Sequence, residues 1–215
     1  MNRSTLSRWT LAVLMVVVLS GAALAQTAAP SRGVVEYLEG DVHINGVPAE
    51  FGQQVYMGDW VQTGRSSYVD VVFDRLNIFR LGENTVATLE LGTARQEVDL
   101  KFGTFAAVLS RVAAAGGGFN VRTPTTVAGV RGTSFFVRVI DSSTTYQCTC
   151  NGSVHLHPED GDEFVETAAE HSAYLFTESE GVVSVRSAAE LYHSSSSLDE
   201  LAAEIGVTIP WGRVE

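Results

Sequence analysis

Basic residues are scarce in this 215-residue chain: 14 Lys and Arg stand against 25 Asp and Glu, for a formal net charge of −11. An acidic surface repels phosphate backbones, so nucleic acid is excluded as an expected partner. Cysteine is nearly absent, with only Cys148 and Cys150. The fold is therefore not a disulfide scaffold, and a chain of this length buries a core without staples. There is no G-x-S-x-G elbow, no H-E-x-x-H and no glycine loop opening a helix. Nucleophilic hydrolysis, zincin chemistry and phosphate cradling are thus without their motifs, and no enzyme is expected. Long apolar runs are missing too, with one exception at the N-terminus.

That exception has the layout of a secretory signal. Arg3 and Arg8 form a positive n-region, Trp9 to Leu19 an apolar h-region, and Ala23-Leu24-Ala25 a small-residue cleavage site before Gln26. The run falls short of the ~20 residues a membrane span needs. No Cys follows it to carry a lipid, and no Arg-Arg pair marks a twin-arginine signal. Residues 1–25 are expected to be removed, leaving a mature chain that is periplasmic or secreted and has no membrane span.

Short β-runs separated by turn residues fill the body. Gly33–Leu38, Val42–Ile44, Gln54–Met57, Trp60–Gln62, Ser67–Phe73, Asn77–Leu81, Val86–Leu91, Glu97–Phe102 and Thr104–Ser110 each read as a strand. Asn45-Gly46 predicts a two-residue hairpin turn, because both residues tolerate φ > 0. The spacing leaves no room for crossover helices, so the fold class is all-β. The Gly-Asp and Thr-Gly corners fit a solenoid-like or a sandwich-like arrangement, and no strict repeat length is visible. Ala113–Gly118 reads as a loop. One helix is predicted over Leu198–Ile205, with Ser197 as N-cap, Glu200 completing a capping box and Gly206 ending it. Ser194–Ser197 reads as a loose polar linker, and the Ile209–Gly212 tail is expected to lay Trp211 on the body. The expected division is 1–25 signal, 33–186 β domain, and 187–215 linker, helix and tail.

The segment Phe119–Val137, FNVRTPTTVAGVRGTSFFV, is the most distinctive in the chain. With Leu38–Val42, Met57–Gly64 and Leu81–Thr85, its Val121-Arg122-Thr123-Pro124 and Val130-Arg131-Gly132-Thr133-Ser134-Phe135 resemble the motifs of the FecR domain family, over about Gly33 to Pro158. The resemblance implies a β-rich, solenoid-like domain that senses or relays signals. Membrane-anchored members that regulate sigma factors carry a cytoplasmic region and a membrane helix before the sensor. Here the signal starts at residue 1, so direct sigma-factor control is not expected. The structural motif is Thr123, Pro124, Arg131, Gly132 and Thr133, with Arg-Gly-Thr read as a turn between two strands. Gly132 would supply a backbone angle that a Cβ forbids. Arg131 offers five donors in a fixed fork, either as a structural staple or for an anion or ligand.

A second cluster is Cys148-Thr149-Cys150, Asn151-Gly152 and His155-Leu156-His157. Read as a hairpin turning at Asn151-Gly152, it puts Cys148 opposite His155 and Tyr146 opposite His157, with thiols and imidazoles on one face. Thiolates and imidazoles together suit Zn, Cu or Fe. The candidate metal residues are Cys148, Cys150, His155, His157 and His171, with His43 and His193 placed elsewhere. A redox pair or reduced core thiols are the alternatives, since a C-x-C disulfide on an extended strand is strained. Asp160, Asp162 and Glu163 read as a solvated corner. Three functions stay open: a binding or sensing module for an envelope protein, glycan or small ligand; a metal- or redox-responsive protein; and a structural envelope protein.

Overall fold

The computed structural model describes residues 33–73, 75–92, 96–110 and 118–214. The predicted signal, and the predicted loop up to residue 117, lie outside the described residues. Fifteen strands follow in chain order. They are β1 (Gly33–Glu39), β2 (Val42–Ile44), β3 (Val47–Pro48), β4 (Gln54–Val55), β5 (Asp59–Thr63), β6 (Tyr68–Phe73), β7 (Asn77–Leu81) and β8 (Val86–Leu91). The series continues with β9 (Gln96–Leu109), β10 (Phe119–Arg122), β11 (Thr126–Asp141), β12 (Thr144–Pro158), β13 (Phe164–Ala168), β14 (Ser172–Ser179) and β15 (Val182–Ala188). A single helix, α1 (Ser195–Glu204), comes last. The protein is mostly β with a short C-terminal helix, as its turn spacing predicts, and no described helix is long and apolar enough to cross a membrane.

All the strands join one open sheet. Its main path runs β15-β14-β12-β11-β10-β9-β7-β6-β1-β4, with β13 on β12 and with β8, β5, β2 and β3 branching in turn from β9. Among the described strands only β9 and β10 pair in parallel. The pairing is otherwise antiparallel within one large open sheet, unlike the parallel neighbours of stacked solenoid rungs. The Asn45-Gly46 hairpin forms as predicted: Asn45 has φ 54° and Gly46 φ 77°, and Ile44 pairs with Val47.

Three long strands organise the sheet. The first half of β9 pairs with β8 and β10, and its second half with β7 and β11. The predicted strands 97–102 and 104–110 are thus one strand, bent at Gly103, whose φ is +94° and whose missing Cβ leaves room for Thr85. Strand β11 runs straight through Arg131-Gly132-Thr133. The expected turn there is instead a bulge, since the register slips between Val130 and Thr133. Gly132, at φ +124°, does supply a conformation that other residues avoid. The real turn is Thr123-Pro124, where Thr123 Oγ1 donates to the Thr126 carbonyl at 2.8 Å and accepts the Thr126 N–H at 3.1 Å.

Alternation along these strands makes two cores. Val35, Val71, Phe79, Leu89, Leu100, Phe105, Phe119, Phe135 and Val154 fill the interior around which the sheet curls. Phe105 sits at its centre, with ring centroids 5.3 Å from Phe79, 5.9 Å from Phe119 and 5.5 Å from Phe135. The outer face carries Ile78, Val108, Phe136, Tyr146, Cys148 and Cys150, covered by Leu198, Leu201 and Ala202 of α1 and by Ile209 of the tail. The helix starts earlier than predicted. Ser194 is the N-cap and closes a capping box with Ser197, so the serines read as a linker are the cap and first turn.

Candidate metal centre

The helix and tail bring side chains of three separate segments together on this outer face. Strand β12 does not turn at Asn151-Gly152. Gly152 pairs with Thr133 on one side and Ala168 on the other, so both neighbours hold it extended. The hairpin register expected for this stretch is therefore replaced: Cys148 lies opposite Phe136 and Ala173, and Tyr146 opposite Arg138 and Leu175. Cys150 is the extra residue of a bulge, since Asn151 pairs with Ser134 and Thr149 with Phe135. The bulge keeps both thiols buried on the helix-covered side. His155 and His157 continue along the extended strand, and at ~3.3 Å per residue His155 ends roughly 16 Å beyond Cys150. His155 is exposed, and His157 Nδ1 lies 2.8 Å from Glu163 Oε2.

Two other histidines replace them. His171 precedes β14, and His193 lies in the segment between β15 and α1. Among the described residues, ligand atoms of Cys148, Cys150, His171 and His193 all lie within 4.8 Å of one another. Cys150 Sγ is 3.2 Å from His193 Nε2, Cys148 Sγ is 3.7 Å from His171 Nδ1, and the two inward nitrogens are 3.2 Å apart. A tetrahedral zinc with Zn–S ~2.3 Å and Zn–N ~2.0–2.1 Å sets its ligand atoms about 3.3–3.8 Å apart. The measured spacings fall close to that range.

The outward nitrogens fix the tautomers. His193 Nδ1 lies 2.8 Å from the Leu191 carbonyl, which only accepts, so Nδ1 carries the proton. His171 Nε2 lies 2.8 Å from Ser195 Oγ and 3.6 Å from Glu190 Oε1, so that nitrogen donates as well. Both inward nitrogens then present lone pairs to each other and to two sulfurs. Such a set is satisfied by a shared cation, a proton or a metal ion. Aromatic rings hold the imidazoles in place: Phe136 stacks on His193 at 4.5 Å and Trp211 on His171 at 5.2 Å.

The thiols differ in acidity. The Cys150 hydrogen bond, opposed by burial and aided by His193 and His171, draws Cys148 down to about 5. Burial first, then the neighbouring Cys148, pushes Cys150 well up. Burial works against charging His193, yet the hydrogen bond and charge of Cys148, with the Leu191 carbonyl and Glu190, hold its pKa above the ordinary value. Cys148 is thus the more acidic thiol of the pair, and the thiolate is the form that ligates a metal. Both cysteines are free thiols.

The remaining motif residues lie apart from this cluster. Thr123 is buried at the β10–β11 turn beside Pro124, and Thr133 Oγ1 donates to the Ser153 carbonyl at 2.9 Å, tying β11 to β12. Arg131 is exposed. His43 lies on β2, 3.3 Å from Asp41. Sequence reasoning missed His193, whose only local sign is its place directly before the serine cap of α1.

The structure is thus an open β-sheet that carries a buried cysteine–histidine cluster under a C-terminal helix. The family model described as FecR protein matches residues 59–155. Over this segment, which is a little under half of the chain, the sequence is similar to FecR protein. The matched segment holds both cysteines, while His171 and His193 lie beyond it. No curated protein matches the chain. Two crystal structures, at 1.65 and 2.50 Å, of a protein from Parabacteroides distasonis ATCC 8503 described as a candidate anti-sigma factor share the fold. Each has a TM-score of 0.50, with 15% and 14% identity, covering 60% of this chain. The chain spans about 59% of the length of those proteins.

Proposed function

We propose that this chain is a metal-responsive regulatory module of FecR type, exported to the cell envelope, in which Cys148, Cys150, His171 and His193 hold one Zn²⁺-class ion. The observation that carries the reading is the convergence of four ligand atoms within 4.8 Å, with both imidazoles tethered through their far nitrogens. Metal-bound histidines are held in this way. Two thiolates and two imidazoles favour Zn²⁺, with Cu and Fe as the other ions this donor set accepts. The ion would tie the segment bearing His193, and with it α1, to β12, so occupancy would report on how firmly the C-terminal segment seats on the sheet. The role is one of binding, not catalysis. Its downstream partner would be an envelope protein reached through this segment, which the regulatory family supports. The division into a β domain over 33–186 and a C-terminal segment over 187–215 belongs to the same reading.

The test is metal content with thiol titration on the exported chain. One ion per chain is expected, with two thiols that stay unreactive until a chelator is added. Cys148→Ser should release the ion. A metal-free chain with two reactive thiols, or one with no titratable thiol even when denatured, would contradict the reading.

A further inference from the structure

The Arg-Gly-Thr element takes no part in the metal cluster, yet it places a guanidinium with unusual surroundings. Four of the described cations are engaged through their side chains. Arg80 binds Asp70 and Glu204, Arg122 reaches Glu97 and Glu159, Lys101 meets Asp99, and Arg138 lies over Tyr192. The Arg131 side chain has no hydrogen bond, ion pair or ring contact among the described residues, and neither has Asn120 or His155. These three side chains nonetheless line one cavity of about 130 Å³, with His157 and the backbone at Gly129.

The strands explain the convergence. Asn120 on β10 pairs with Gly129 on β11, and Gly129 with His155 on β12, so the three form one cross-strand row. Gly129 leaves the middle of that row empty: a Cβ there would stand 3.3 Å from Asn120 Oδ1 and 3.7 Å from His155 Cβ. Two residues on, the bulge at Arg131-Gly132 sets the arginine at the end of the row. Its Cγ lies 3.5 Å from where a Gly118 side chain would begin, an ordinary contact distance, while the Val130 carbonyl oxygen lies 2.7 Å from that point. His157, which also lines the cavity, is paired with Glu163, Nδ1 to Oε2 at 2.8 Å.

We propose that this cavity is a site for a small oxyanion, a phosphate or carboxylate group. Arg131 contributes a bidentate fork and its charge, and the Asn120 amide and the His155 ring contribute further N–H donors. A planar guanidinium beside an amide and an imidazole matches two or three oxygens on one centre. An unpaired guanidinium in a strongly acidic protein also gives the ligand a locally favourable potential. The site is independent of the metal reading, since none of its residues touches the cluster.

Inorganic phosphate and acetate, titrated separately into the full chain at constant ionic strength and followed by amide NMR, provide the test. Saturable shifts confined to residues around Asn120, Arg131 and His155 are expected. Arg131→Gln should weaken binding by about tenfold or more, the loss of one charge-assisted contact. Arg131→Lys should recover only part of it. Gly129→Val keeps every donor but fills the floor, and it should abolish binding while the chain stays folded by near-ultraviolet circular dichroism. Saturation by phosphate alone or by acetate alone names the group and supports the site. Unsaturable shifts with both anions, or an affinity that Arg131→Gln and Gly129→Val leave unchanged, would overturn it.

Discussion

His193 Nε2 points at Cys150 Sγ from 3.2 Å, while its Nδ1 is held 2.8 Å from the Leu191 carbonyl. One residue of the C-terminal segment is thereby aimed, in a defined tautomer, at a thiol buried on β12. His193→Ala should therefore lower zinc affinity at least about 100-fold, more than the loss of an outer partner. His155→Ala and His157→Ala should leave it unchanged. Competition with a chromophoric chelator measures all three, and equal losses would restore the hairpin arrangement that β12 does not adopt.

Ser195 bridges the cysteine–histidine cluster and the first turn of the helix, because its Oγ accepts from His171 Nε2 at 2.8 Å. Ser195→Ala should cost roughly 10-fold in zinc affinity without removing a ligand, the scale typical of an outer-shell partner. The same competition assay reads it. The helical content should stay constant, since the N-cap is Ser194.

Glu204 near the end of α1 connects helix docking to pH. Burial, then the charge of Asp70, raises its pKa to about 7, although Arg80 pulls it the other way. The folded chain thus keeps a proton that the unfolded chain gives up from about 4.5 upward. Stability from this group is full below about 4.5 and is lost as pH rises through about 7. Urea melts should show wild type falling relative to Glu204→Gln between these values, by about 1 kcal/mol after allowing for solvent screening. Arg80 keeps its two contacts to Asp70, both at 2.6 Å, in the variant. A parallel pH profile for the two proteins would contradict the assignment.

Gly103 is where β9 bends, at φ +94°, with Thr85 filling the space of a side chain. Gly103→Ala should destabilise the fold by roughly 2–4 kcal/mol, combining left-handed strain with overpacking. Thermal melts check this, and a change under 1 kcal/mol would mean the bend is not fixed there.

The sequence reveals some of these features and hides others for identifiable reasons. Asn45-Gly46 and Asn151-Gly152 are the same dipeptide, yet only the first turns. Its strands are short and nothing holds the pair extended, whereas Gly152 is flanked by Thr133 and Ala168 on two neighbouring strands. Turn propensity loses to pairing on both sides. Gly103 reads as a break between strands for a similar reason: a glycine at positive φ bends a strand without ending it. The β periodicity and the apolar face of Leu198, Leu201 and Ala202 are local patterns, and they are legible, whereas the turn expected at Arg131-Gly132-Thr133 lies at Thr123-Pro124. The metal cluster is only half legible. Cys148 and Cys150 are neighbours, and His171 was within reach of them by spacing. His193 stands 22 residues past His171 in a stretch without periodicity. Only the packing of α1 on Ile78, Val108 and Phe136 brings it to the sulfurs.

X-ray absorption at the zinc edge tests the central claim most directly. The account predicts a four-coordinate ion with two sulfurs at about 2.3 Å and two imidazole nitrogens at about 2.0–2.1 Å, becoming one-nitrogen in His193→Ala. A shell of oxygen and nitrogen alone, or a spectrum unchanged by Cys148→Ser and His193→Ala, would contradict it.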